Sequence, residues 1–248
     1  IKESIDETLA EVDSRVDEGY RRIKLKIRRG WDVELVRAVR DSFPELVLTV
    51  DANASYSVDD VATFMRLDEF GLLCIEQPLG YDDIEGSAWL QARLTTPVCL
   101  DEAVTSPRAA RLALDNDACR NVNLKPSRVG GVTAAREIHD LCVERGIPLW
   151  CGGMLESGIG RASNIALCSL PGFVQPADMS PAHVLYTEDV VDPTFDIDSE
   201  GYVAVPTMPG LGFNVASDRL RERTIQRSDW DPEEERMVTS VLESEGVL

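Results

Sequence analysis

Short apolar or β-branched runs alternate along the chain with amphipathic stretches. The runs fall at 22–27, 46–50, 72–76, 98–100, 121–124 and 148–151, with a weaker one at 174–178. Between them, 33–43, 58–70, 107–114 and 132–145 carry apolar residues at helical spacing. Ser57 and Ser106-Pro107 supply helix-start signals, and Gly71 and Gly146 supply stops. Strand, helix, strand at this interval predicts βαβ units and a parallel sheet. No low-complexity or Pro/Ser-rich linker interrupts the pattern, so residues 1–224 read as one domain. Residues 225–248 read as a tail with a short helix entered at Asp231-Pro232.

A length of 248 residues accommodates one α/β barrel or two smaller domains. With 44% hydrophobic residues the chain can bury a large core. Lys+Arg is 25 against Asp+Glu 44, a net charge of −19, which excludes a general binder of nucleic acid. No apolar run reaches the roughly 20 residues of a membrane span, and the acidic, amphipathic opening of the sequence is not expected to act as a signal peptide. Six cysteines without a C-x-x-C pair read as core thiols in a reducing compartment, the cytoplasm. Two histidines without zinc spacing make histidine chemistry a poor candidate.

The lysines change the picture. Only Lys2, Lys24, Lys26 and Lys125 are lysine among the 25 basic residues. A lysine kept in a strand of such a chain has a task that a permanently charged arginine cannot perform. Lys26, Asp51, Glu76, Asp101 and Lys125 each end an apolar run, at separations of 25, 25, 25 and 24. In a parallel barrel these are equivalent positions at the C-terminal rim, where such folds keep their active sites. Each acid alone could be a helix cap or a loop residue. Three in register form an oxygen-only ligand set for a hard divalent cation, Mg²⁺ first and Mn²⁺ second. Asn53 and Glu102 stand beside that set. Lys24 and Lys26, at i and i+2, share one strand face. If that face is the interior, mutual repulsion and desolvation are expected to lower both pKa values and make one a usable base. Lys125 would approach from the opposite side.

Lysine bases beside Mg²⁺ are the enolase-superfamily pattern. The chain resembles the o-succinylbenzoate synthase / N-acylamino acid racemase subgroup of that superfamily. The resemblance is carried by Ile23-Lys24-Leu25-Lys26, Val50-Asp51-Ala52-Asn53, Ile75-Glu76-Gln77-Pro78 and Leu100-Asp101-Glu102. It continues through Asn123-Leu124-Lys125-Pro126-Ser127-Arg128-Val129-Gly130-Gly131 and Cys151-Gly152-Gly153-Met154-Leu155-Glu156-Ser157-Gly158-Ile159-Gly160-Arg161, covering the chain to about Thr224. It implies a modified TIM-type (β/α) barrel with Mg²⁺ on Asp51, Glu76 and Asp101. Lys26 would abstract the proton α to a substrate carboxylate, with Lys24 modulating it. Lys125 would stabilise the enediolate, or act as second acid/base in racemisation. Asn53 and Glu102 would support these groups from behind, and Gly152, Gly153 and Met154 would line the substrate pocket. A homo-oligomer acting on a small-molecule carboxylate is also implied.

Members of that family carry a capping domain before the barrel and are longer. Ile1 falls where the first barrel strand should end, so residues 4–20 read as the first barrel helix. The capping domain and first strand are expected to be missing here, with that segment supplied separately or the chain a fragment. Two open sheet edges follow. The leading reading is Mg²⁺-dependent dehydration giving o-succinylbenzoate, a step of menaquinone synthesis. The alternative is racemisation of N-acyl or N-succinyl amino acids. A third is a metal-binding barrel remnant without activity.

Overall fold

A computed structural model describes residues 2–226; the tail helix expected from Asp231 lies outside them. Six strands form one parallel sheet in sequence order: β1 (Arg22–Lys26), β2 (Val47–Asp51), β3 (Cys74–Glu76), β4 (Val98–Leu100), β5 (Asn121–Leu124) and β6 (Leu149–Cys151). Helices α1 (Ile5–Asp17), α2 (Val33–Ser42), α3 (Val61–Leu67), α4 (Ile84–Gln91), α5 (Pro107–Asp115), α6 (Pro126–Val129) and α7 (Val132–Arg145) precede, connect or follow these strands. The result is a curled, partial TIM-type barrel.

The helix ends follow the sequence signals. Ser106 Oγ accepts from Ala109 N at 3.2 Å with Pro107 in the first turn of α5. Gly146 closes α7 at φ +66°, a left-handed conformation a glycine takes without strain. The expected 58–70 helix is divided, with single 3₁₀ turns before and after α3. Helix α4 lacks an amphipathic stripe because it packs Gly86, Ser87, Leu90 and Gln91 into the interior.

The run at 174–178 does not become a regular strand. It extends the sheet beside β6 through two isolated parallel bridges, Leu149–Phe173 and Gly152–Asp178. Pro176 lies between them and has no N–H to give a ladder. On the other side β1 is the edge strand among the described residues. A groove of about 510 Å³ runs along it, lined by β1, by Val12 of α1, and by Tyr20 and Asp178.

Beyond this lie α8 (Gly158–Leu167), α9 (Ala182–Leu185), α10 (Ser217–Arg223) and a small antiparallel ribbon of β7 (Val191–Asp192) with β8 (Asn214–Val215). The main core sits between sheet and helices, built from Leu25, Leu48, Val50, Ile75, Leu100 and Leu124 against Val36, Val39, Phe64, Leu90 and Ile138. Every cysteine is a free thiol, and five of the six are buried. Among the described residues no helix is long and apolar enough to cross a membrane.

Candidate active site

Strand register delivers the rim residues. Lys26 pairs with Asp51 across β1–β2, and Asp51 with Glu76 across β2–β3. Asp101 and Lys125 follow the last residues of β4 and β5. Because side chains alternate along a strand, Lys24, Lys26, Asp51, Glu76, Asp101, Asn123 and Lys125 all occupy the face away from the helices. Asp51 and Asp101 are each 1% exposed and Glu76 is 0% exposed. Carboxylates this dry need cationic partners.

Each finds one. Lys26 Nζ lies 2.5 Å from Asp51 Oδ2 and donates to Asn53 Oδ1 at 2.7 Å. Asn53 in turn donates through Nδ2 to Glu102 Oε1 at 3.0 Å and through its backbone N–H to Asp51 Oδ1 at 2.9 Å. Lys24 Nζ sits 3.3 Å from both Asp51 Oδ2 and Glu76 Oε2 and pairs with Asp178. Lys125 Nζ lies 2.7 Å from Asp101 Oδ2, and Arg128 pairs with Asp101 Oδ1. Asn123 Nδ2 donates to Glu76 Oε1 at 2.8 Å.

The titration shifts follow. Burial works to lower the Lys24 pKa, but Asp178, Glu76 and Asp51 overcome it and raise it. The lowered value expected for Lys24 is therefore corrected: its neighbours are carboxylates rather than a second ammonium. Burial pushes Glu76 up to about 7 against the pull of Lys24, with Asp51 and Asp101 adding to the rise. Burial also acts to raise Asp101, yet Arg128 and Lys125 hold it below the usual carboxylate range.

Among the described residues no three His, Cys, Asp or Glu side chains converge into a ready ligand shell. Asp51, Glu76 and Asp101 are instead turned onto lysines and an arginine. The donor set still fits a hard divalent cation. It is oxygen-only and buried, and Glu76 Oε2, although 3.3 Å from Lys24 Nζ, accepts no hydrogen bond among the described residues.

Gly152 lies level with Lys125 inside the barrel. A Cβ there would stand 2.2 Å from Asn123 Oδ1 and 2.7 Å from Lys125 Cε, so the glycine leaves room for those two side chains. Gly153 N donates to Asp178 O at 2.6 Å. Met154 is half exposed, its amide held by Glu156 Oε2 at 2.7 Å. Sequence reasoning passed over three neighbours. Asn123 shares a strand face with Lys125, and Arg128 lies one turn beyond it, so both carried a usable positional signal. Asp178 carried none, because its place beside Lys24 depends on how far the sheet curls.

The family of enolase C-terminal domain-like proteins matches residues 7–219. An o-succinylbenzoate synthase of Geobacillus kaustophilus is 47% identical over 224 residues, 90% of this chain and 60% of that protein. An N-succinylamino acid racemase of Amycolatopsis sp is 50% identical over 225 residues, 90% of this chain and 61% of that one. A solved structure of an enolase-superfamily member from Listeria innocua superposes with a TM-score of 0.86 at 41% identity, covering 90% of this chain and 60% of its own. The chain thus spans about 60% of the length of these relatives. Sheet order, rim register and these matches agree: the chain belongs to the enolase C-terminal domain-like family.

Proposed function

We propose that this chain is the catalytic barrel of a Mg²⁺-dependent o-succinylbenzoate synthase, acting on a small carboxylate by removal of its α-proton and loss of water. The observation that carries this reading is the row of buried carboxylates Asp51, Glu76 and Asp101, with Lys26 at one end and Lys125 at the other. The three carboxylates would hold Mg²⁺, or Mn²⁺ in its place. An ion held there would bind the substrate carboxylate and make the adjacent proton more acidic.

Lys26 Nζ takes that proton. Asn53, anchored by Glu102, orients the Lys26 amine, and Lys24 sets the charge around it. Lys125 lends positive charge to the developing enediolate, and Gly152 clears its path. Gly153 and Met154 border the substrate. N-succinylamino acid racemase is the second reading, supported by the 50% identical relative of that name and by lysines at both ends of the row. There Lys125 delivers a proton to the opposite side of the same intermediate. The two readings share their first step; in the first the hydroxyl on the neighbouring carbon then leaves as water by taking back the proton held on Lys26, and in the second no group leaves.

Deuterium exchange at the α-carbon tests both. The 248-residue chain with Mg²⁺ is offered the cyclohexadiene precursor of o-succinylbenzoate and an N-succinyl amino acid. Fast dehydration supports the first reading, and fast racemisation promotes the second. Lys26→Ala is expected to slow exchange by about 10²–10⁴-fold while Mn²⁺ binding persists. Retained exchange overturns the assignment of the base. Binding without exchange by the unaltered chain leaves a metal-binding barrel without activity.

A further inference from the structure

Gln77 stands between Glu76 and Pro78, is fully buried, and has φ +35°. Few residues other than glycine adopt that backbone, and a following proline disfavours it further. A glycine would take the turn freely, yet the chain carries a long polar side chain there. What that side chain does is specific. Its Oε1 accepts from Asp101 N at 2.9 Å and from Ala103 N at 3.2 Å, and its Nε2 donates to Leu79 O at 2.9 Å.

The β3–β4 ladder ends at Glu76–Cys99, two residues short of Asp101. At Gln77 the backbone turns away, and the side-chain amide continues the hydrogen bonding that the ladder has dropped. The Gln77 backbone also accepts from Ala54 N at 2.8 Å and donates to Cys99 O at 2.8 Å. One residue thereby ties together the rims of β2, β3 and β4, which carry Asp51, Glu76 and Asp101.

We infer that Gln77 is a positioning residue that fixes the separation of Glu76 and Asp101, and so sets affinity for a divalent cation without touching it. The inference rests on the ligand set proposed above. A second buried glutamine provides a matched control. Gln91, 2% exposed, bonds the opposite end of β4: its Oε1 accepts from Val98 N at 2.7 Å, and its Nε2 donates to Thr96 O at 3.4 Å.

The test is Mn²⁺ binding to the 248-residue chain, followed by the electron paramagnetic resonance signal of the free ion, with thermal midpoints recorded alongside. Gln77→Met keeps the volume and removes the hydrogen bonds. Gln77→Asn keeps the amide one methylene too short and suits the left-handed backbone, so it folds even if the methionine variant does not. Either change is expected to weaken Mn²⁺ binding by about 10–100-fold, the usual effect of losing a group that orients a ligand. Gln91→Met is expected to lower the midpoint but leave Mn²⁺ affinity unchanged. Wild-type affinity in the folded Gln77 variants, or equal weakening in Gln91→Met, overturns the inference while the ligand set stands. Binding that survives Glu76→Gln undiminished overturns the ligand set and this inference together.

Discussion

The two faces of the six-stranded sheet share one backbone and almost nothing else. Toward the helices, Leu25, Leu48, Val50, Ile75, Val98, Leu100, Val122, Leu124 and Leu149 join the helices in one continuous core. Toward the barrel axis the same strands present Arg22, Lys24, Thr49, Asp51, Glu76, Asn121 and Asn123. The only apolar cluster among the described inward-facing residues is Cys74, Cys99 and Trp150. Trp150 fills the middle, with the Arg22 guanidinium 4.1 Å from its ring centroid. The interior of a barrel of this kind is ordinarily packed with branched aliphatics. Here it is buried and polar, so apolar burial is concentrated on the outer face and ionisable side chains on the inner one. Period-two alternation is what lets one strand serve both.

The outer face is expected to give the largest effect. Phe64 is fully buried in that core and stacks edge-on with Tyr56 at 5.1 Å. Phe64→Ala should cost about 3–5 kcal/mol in denaturant unfolding. Mn²⁺ affinity of the protein that remains folded should be unchanged. A parallel loss of affinity would show that the two faces are not separable.

Next comes a change on the inner face made purely by bulk. Gly152→Ala places a methyl group where Asn123 Oδ1 and Lys125 Cε already sit. Overpacking of that kind costs about 1–3 kcal/mol. It should also slow α-proton exchange by displacing Lys125. A variant with wild-type exchange would mean that the Lys125 position is not needed for chemistry.

Glu76→Gln sharpens the contrast from the other direction. In chelator, the substitution should leave the thermal midpoint unchanged or raise it, because a fully buried carboxylate carries a desolvation cost that its neighbours only partly offset. Asn123 can still donate to the glutamine oxygen. Mn²⁺ binding should fall sharply in the same variant. A large drop in the midpoint without metal would show that Glu76 stabilises the fold.

The two faces also differ in how far they could be read from sequence. The outer face is legible because apolar periodicity is local, and the apolar runs match the ends of all six regular strands to within two residues. The rim acids and lysines were legible too, because strand ends recur at near-constant separation. Partnerships were not. Lys24 was expected to repel Lys26, whereas the fold surrounds it with Asp51, Glu76 and Asp178. That outcome depends on which strands the curl brings together. The 174–178 run looked like a strand by composition, and Pro176 reduced it to two bridges. Gln77 left a faint trace, a long polar residue before a proline at a strand end, but its backbone conformation and two acceptor bonds exist only in three dimensions.

The smallest effect is expected outside both faces, where water competes for every charge. Arg29, in the loop after β1, reaches Asp60 ahead of α3, with Nε 3.0 Å from Oδ1, and Ser57 N donates to Oδ2 at 2.9 Å. Arg29 first, and then the Ser57 amide, lower the Asp60 carboxyl from 3.8 to about 2. A depressed carboxyl pKa stabilises the folded state above the unfolded value, and that contribution is lost as pH falls through the folded one. Wild type and Asp60→Asn should therefore differ slightly in thermal midpoint above pH 3.8 and converge as pH drops toward about 2. The difference should also shrink in about 1 M salt, where screening acts over about 3 Å. A gap that persists in acid and in salt would assign the effect to the Ser57 turn rather than to charge, since the asparagine still caps that turn only in part.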